Sequence, residues 1–280
     1  MVWAGGAISA LERAWNRREW GPFRRRVLGI LVVVLVGGAA VTAGWLPGFA
    51  PGPVAVALTV VLGSVGLAQR SLYDHVAAVL RPLEVGDIVG ARQAVSMIVG
   101  RDVEALDEAG VAAAALESLA ESFNDGVVAP VFWFVLAGLP GLFAFKVVNT
   151  ADSLIGHREL RWRDFGWAAA RTDDLMNLAP ARIAGVLVAL AGGRGWRTMW
   201  RDAPRHASPN AGWPEAAMAG ALGVQLGGLA TYDAVGHMRP TFGDGPAPTL
   251  GDLRRGLSVY VRACALLWGA LLLGALAWPR

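Results

Sequence analysis

Three polar stretches of this 280-residue chain carry side chains whose types and spacing could do chemistry. In the first, residues 70–125, ten acids stand against four arginines, and Glu117, Glu121 and Asp125 follow one another at i, i+4 and i+8. At 3.6 residues per turn these three share one helix face, spread over about 80°. Like charges in such a row weaken a helix unless a cation or an arginine answers them. A solvated acidic face is the plain reading. The row runs directly into an uncharged apolar stretch, however, so a Mg²⁺-binding or arginine-paired role ranks ahead. Asp102, following Gly100-Arg101, reads as the N-cap of this helix, with Glu104 in its first turn.

The second stretch, 149–182, follows Lys146, the one lysine of the chain, and holds Asn149, Asp152, Arg171, Asp173, Asp174, Asn177 and Arg182. Both aspartates lie one helical turn from Asn177. Oxygen ligands of this kind suit Mg²⁺, which takes one or two carboxylates and completes its shell with water and phosphate. Arg171 and Arg182 are suited to clamp a phosphate or carboxylate bidentately. Capping of the next helix is the plain alternative for either aspartate. The third stretch, 194–215, contains Arg205-His206-Ala-Ser208-Pro209-Asn210 and ends at Glu215. Of the four histidines only His206 lies in such a cluster; His75, His157 and His237 read as surface or interface residues.

Several chemistries are excluded. Cys264 is the single cysteine, which rules out an intrachain disulfide and a thiolate cluster, and isolated histidines make zinc a poor choice. No GxxxxGK[ST] occurs, so there is no P-loop.

The elements that must position these residues are membrane helices. The chain is 55% hydrophobic and 17% charged, with a net charge of +3, against about one-quarter charged in a soluble domain. Residues 27–69 form a 43-residue run without a charge, room for two crossings of about 20 residues each, with a turn at Pro47-Gly48 and Pro51-Gly52-Pro53. Arg13, Arg17, Arg18, Arg24, Arg25 and Arg26 precede this hairpin and Arg70 and Arg81 follow it, which places both ends in the cytoplasm. Residues 126–145 are apolar but interrupted by Pro130 and Gly138-Leu139-Pro140-Gly141, and 183–193 is too short to cross. Non-helical backbone at that depth needs protein or a water-filled cavity around it. The expected fold is therefore all-α, a polytopic integral membrane protein with partly broken or re-entrant helices and a cytoplasmic polar cap. It forms one domain over 1–280, with 216–232 and 263–279 as further apolar helices. The twelve tryptophans read mainly as an interfacial belt.

Three ordered blocks carry a family resemblance: GRDVEALDEAGVAAAALESLAESFNDGVVAPVFW (100–133), KVVNTADSLIGHRELRWRDFGWAAARTDDLMNLAPAR (146–182) and RHASPNAGWPEAAMAGALGVQLGG (205–228). Together they resemble the integral-membrane adenosylcobinamide-phosphate synthases of cobalamin biosynthesis, the CobD/CbiB family. Members usually open with a further hydrophobic stretch and a His-Pro segment ahead of the part resembling residues 3–17. They commonly carry Ala-Glu-Asn where this chain has Ala120-Glu121-Ser122.

The resemblance implies ATP-dependent joining of aminopropanol, or its O-phosphate, to the propionate carboxylate of adenosylcobyric acid at the cytoplasmic face of the inner membrane. Mg²⁺ and ATP would be required and no nucleic acid involved. A homo-oligomer or a complex with other membrane enzymes of the pathway would fit. On this reading Glu117, Glu121, Asp125, Asp173, Asp174 and Asn177 handle Mg²⁺ and nucleotide. Arg101, Lys146, Arg171, Arg182 and Arg205, with Asn124, Asn149 and Asn210, hold anionic groups and substrate. Lys146 also counts among the catalytic candidates, and Asp152 or His206 takes the ammonium proton. The rivals are a Mg²⁺-dependent prenyl or CDP-alcohol transferase, which lacks a second aspartate-rich motif here, and a non-catalytic AmpE-like sensor. A transporter would carry its ionisable residues within the spans.

Overall fold

A computed structural model describes residues 2–157 and 159–277. The chain is 74% helical, with one small two-stranded sheet among the described residues. Four helical stretches are long and apolar enough to cross a membrane: Pro22–Phe49, Gly52–Glu84, Glu108–Ile155 and Leu250–Ala277. The chain divides into two compact units, one formed by Met1–Leu67 with Ala129–Asn177, the other by Ala68–Val128 with Leu178–Arg280.

The first unit contains α1 (Val2–Trp15), α2 (Pro22–Trp45), a 3₁₀ turn (Leu46–Phe49), α3 (Gly52–Val65), α7 (Ala129–Ile155) and α8 (Trp167–Met176). Pro22 opens α2, where its missing N–H leaves no bond unmade. The turn falls at the expected proline–glycine cluster. Ile8, Val32, Ala151, Ile155, Phe165 and Ala169 form a buried core that joins α1, α2, α7 and α8. As the sequence predicts, α7 is broken at Gly138-Leu139-Pro140-Gly141. Ala137 leaves helical geometry and Gly138 adopts φ +62°, ψ −152°, a conformation essentially reserved for glycine, before Pro140 resumes the helix. Pro130 causes no break: it sits just past a π turn at Asn124–Val128, and the Gly126 carbonyl four residues back accepts instead from the Ala68 N–H at 2.9 Å.

The second unit contains α4 (Gln69–Glu84), α5 (Ile88–Ser96), α6 (Glu108–Phe123), a π turn (Asn124–Val128), α9 (Leu178–Gly192), α10 (Trp196–Asp202), α11 (Gly212–Leu222), β1 (Leu226–Tyr232), β2 (Val235–Phe242) and α12 (Leu250–Ala277). Its core packs Leu116, Leu119 and Phe123 of α6 with Met218 of α11 and Leu253 and Tyr260 of α12; the rings of Phe123 and Tyr260 meet edge-on at 5.6 Å.

Two expectations are corrected here. The N-cap of α6 is Asp107, which accepts from the Gly110 N–H at 2.8 Å; Asp102 lies upstream and accepts from the Ala234 N–H. The apolar stretch 216–232 is not one helix. Gly223, at φ +72°, ends α11, and residues 226–232 pair antiparallel with 235–242 from Leu226↔Phe242 to Tyr232↔Val235. Left-handed glycines stop the helix, and the following Leu-Ala-Thr-Tyr run suits a strand that finds a partner beyond a two-residue turn at Asp233-Ala234.

Candidate functional site

Within each unit the structure brings sequence-predicted residues into contact. In the second unit the centre is Glu117 on α6, 5% exposed. Its Oε1 accepts from the Gly227 N–H at 2.8 Å. Its Oε2 accepts from Arg239 Nη1 at 2.8 Å and stands 3.3 Å from Arg101 Nη1. Arg239, on β2, donates through Nη2 to Glu215 Oε2 on α11 at 3.3 Å. The other Glu215 oxygen lies 3.8 Å from His206 Nε2. His206 Nδ1 accepts from the Ser208 N–H at 2.9 Å, which turns Nε2 toward Glu215.

Gly227 makes this geometry possible. It sits at φ +82° beside a β-bulge, and a Cβ there would collide with the Pro240 carbonyl. A larger residue would push the strand and its N–H away from Glu117.

Burial sets the electrostatics. Glu215 is 1% exposed, and its carboxyl is raised well above the usual range, first by burial and then by the charges of Glu121 and Glu117; Arg239 and Arg101 only partly offset this. Burial works against the Arg239 charge, but the carboxylates of Glu117 and Glu215 outweigh it and raise its pKa. Arg101 and Arg239 thus face the carboxyl groups of Glu117 and Glu215, with Glu121 near enough for its charge to act on Glu215. Arg101, with its side chain 7% exposed, leaves its Nε without a hydrogen-bond partner. A buried, unsatisfied guanidinium donor is costly to leave so, and it fits an incoming oxyanion.

Elsewhere in this unit, Asn124 donates to Asp125 at 2.8 Å, and Asp125 falls in the π turn rather than continuing the α-helical row. The three acids consequently meet different surroundings: Glu117 is buried, Glu121 exposed, Asp125 half-buried. Arg182 reaches Asn210 at 3.4 Å and lies over the Trp213 ring at 4.7 Å from its centroid. Arg205 pairs at 3.2 Å with Asp202, a fully buried carboxylate also held by Arg201 and by the Gly243 N–H. The Arg201 hydrogen bond leads the forces holding Asp202 below the usual carboxylate range, against burial.

In the first unit the centre is Asp173 on α8. Its Oδ1 accepts from Asn149 Nδ2 at 3.2 Å and its Oδ2 from Asn177 Nδ2 at 3.0 Å. Asp174 pairs with Arg171 at 3.2 Å. The Trp133 indole donates to the Met176 carbonyl at 3.0 Å and anchors the end of α8 to α7. Lys146, Asn149 and Asp152 are half-buried along α7.

Among the described residues no three His, Cys, Asp or Glu side chains come together as a metal-holding group. The donor set of Asp173, Asp174 and Asn177 nevertheless fits Mg²⁺, which needs few protein ligands when phosphate and water supply the rest.

Sequence reasoning missed Arg239, Gly227 and the role of Glu215. Arg239 lies outside the three polar stretches, and only the strand pairing brings it to Glu117. The run of glycines before a β-branched and aromatic segment was the one local sign of a bulge.

The fold and these groups define a mainly helical protein with four helices long enough to cross a membrane and a buried guanidinium–carboxylate cluster. The chain belongs to the CobD/CbiB family, whose profile, described as CobD/Cbib protein, matches residues 1–260. It is 50% identical to the cobalamin biosynthesis protein CobD of Rhodobacter capsulatus, over 99% of this chain and 90% of that protein. It is 46% identical to CobD of a Sinorhizobium species, over 97% and 88%, and 44% identical to CobD of Rhizobium meliloti, over 99% and 89%. No solved structure matches the chain.

Proposed function

We propose that the protein is a multi-pass inner-membrane enzyme of cobalamin biosynthesis that joins aminopropanol, or its O-phosphate, to the propionate carboxylate of adenosylcobyric acid at the expense of ATP. Family membership and the relatives' names support the pathway. The observation that carries the chemistry is the buried Arg101–Glu117–Arg239 cluster with the unsatisfied Arg101 Nε, an arrangement that favours anionic groups.

A carboxylate is a poor electrophile, and amide formation needs a leaving group in place of its oxygen. Transfer of the γ-phosphoryl group of ATP to a propionate oxygen gives an acyl phosphate and ADP. Amine attack on the carbonyl carbon then forms the C–N bond and breaks the C–O bond to phosphate. Such transfers depend mainly on positioning and on charge neutralisation. Arg101 and Arg239 hold the oxyanion, and Glu117 positions both guanidinium groups. Asp173, Asp174 and Asn177 would hold Mg²⁺, with Glu121 and Asp125 as further candidates; when bound, the ion neutralises charge on the phosphate oxygens. Lys146, Arg171, Arg182 and Arg205 bind anionic substrate groups, and Asn124, Asn149 and Asn210 orient them. Asp152 takes the ammonium proton; His206, whose two ring nitrogens face Ser208 and Glu215, is the alternative. The arginines before residue 27 support a cytoplasmic face for this chemistry.

The test is mass spectrometry of membranes containing the full chain, supplied with adenosylcobyric acid, aminopropanol phosphate and Mg-ATP. An adduct that requires all three is the expected result. Its formation without ATP, or its absence with all three present, would overturn the assignment.

A further inference from the structure

The arginines that precede the first apolar helix divide into two sets. Arg25 and Arg26 are engaged within the first unit: Arg25 donates to Asn16 and to the Leu160 and Arg161 carbonyls, and Arg26 pairs with Asp164 at 3.3 Å. Arg13, Arg17, Arg18 and Arg24 are exposed and form no ion pair among the described residues. Arg24 stacks on the Trp20 ring at 3.8 Å from its centroid, and Arg17 lies over the same ring at 6.0 Å. Glu19 is the single acid between Arg13 and Arg26.

A second feature says what covers this patch. Directly beyond it, Phe23, Val27, Ile30 and Val34 follow at helical spacing along α2 and are exposed by 82%, 38%, 41% and 61%. An apolar stripe left bare on the 28-residue helical stretch Pro22–Phe49 is suited to face hydrocarbon. Arg24 lies in the first turn of α2 and Trp20 just before it, with Arg13, Arg17 and Arg18 preceding them in the chain. These positions suit headgroup depth, where tryptophan and arginine anchor helices and cations attract acidic lipid.

We propose that Arg13, Arg17, Arg18 and Arg24, with Trp20 as a stacking platform, form a binding surface for the phosphate headgroups of anionic phospholipids. The guanidinium forks match phosphate oxygens, and the indole holds Arg24 side-on so that its outer N–H groups stay directed at solvent-exposed acceptors. This surface is independent of the catalytic assignment.

The experiment is native mass spectrometry of the full chain in detergent, titrated with phosphatidylglycerol, with phosphatidylcholine, and with inorganic phosphate as the headgroup alone. Preferential retention of phosphatidylglycerol, lost about 100-fold in the triple variant Arg17→Gln/Arg18→Gln/Arg24→Gln, is expected from about a fivefold factor per surface cation. The matching triple lysine variant, which keeps the charge, should stay within about tenfold of the parent. Phosphatidylcholine bound as tightly as phosphatidylglycerol, an unchanged preference in the glutamine variant, or a lysine variant as weak as the glutamine one would each overturn the proposal. Displacement of phosphatidylglycerol by short RNA at equal charge concentration would overturn it in favour of a nucleic-acid surface.

Discussion

The two units hold their central carboxylates by different means. Asp173 in the first unit is oriented by two amide groups, from Asn149 and Asn177, which align its oxygens without cancelling their charge. Glu117 in the second is met by two guanidinium groups and a backbone N–H, and neighbouring Glu215 is driven toward its neutral form. The first arrangement keeps a carboxylate attractive to a cation. The second sets guanidinium groups around a buried carboxylate, where the unsatisfied Arg101 Nε is suited to an anion. Acids close in type along the chain acquire these different surroundings only through their partners.

The contrast can be broken most severely at Glu117. Glu117→Ala leaves Arg101 and Arg239 buried without their shared carboxylate and should destabilise the protein by about 3–5 kcal/mol, measured by tryptophan-monitored unfolding in detergent. Stability close to the parent's would mean that the cluster is hydrated and not a buried network. Asp173→Asn should lower ATP-dependent amide formation at least about 100-fold while costing only about 1 kcal/mol of stability, because the amide oxygen still accepts one of the two donors. Full retained synthesis would remove the metal assignment.

Glu215 sharpens the comparison through pH. Its raised native pKa means that the folded state binds the extra proton above pH 4.5, the ordinary value, so its contribution to stability falls as pH rises through that window toward the native pKa. Glu215→Gln should flatten this decline, read as the dependence of the unfolding midpoint on pH; an identical slope in both proteins would place the carboxyl in water. The smallest expected effect is at the α6 cap, where Asp107→Ala should cost about 1 kcal/mol with no change in catalytic pH profile.

Much of this was legible from residue order. The 43-residue uncharged run, the Pro-Gly turn and the GLPG interruption translate directly into α2, α3 and the break in α7, because chain length, missing N–H groups and left-handed backbone are local properties. The Asp173–Asn177 contact follows from helical spacing alone. The sheet was hidden, since the hydropathy of 216–232 is the same in a helix or a strand and only pairing with 235–242 decides between them. Arg239 was hidden for the same reason: 122 residues separate it from Glu117. Asp102 looked like a cap because a short acidic side chain before an alanine-rich run satisfies the rule; Asp107 satisfies it too, nearer the helix.

The Gly227–Glu117 hydrogen bond has a consequence for local stability. A lone pair of strands is barely stable in water, so β1 and β2 depend on what they are tethered to. Glu117 on α6, Asp102 ahead of α6 and Glu215 on α11 share that tether, so opening of the ribbon withdraws the Arg239 guanidinium from the cluster. Amide exchange at residues 226–242 should then report the integrity of the cluster, opening before α6 itself loosens.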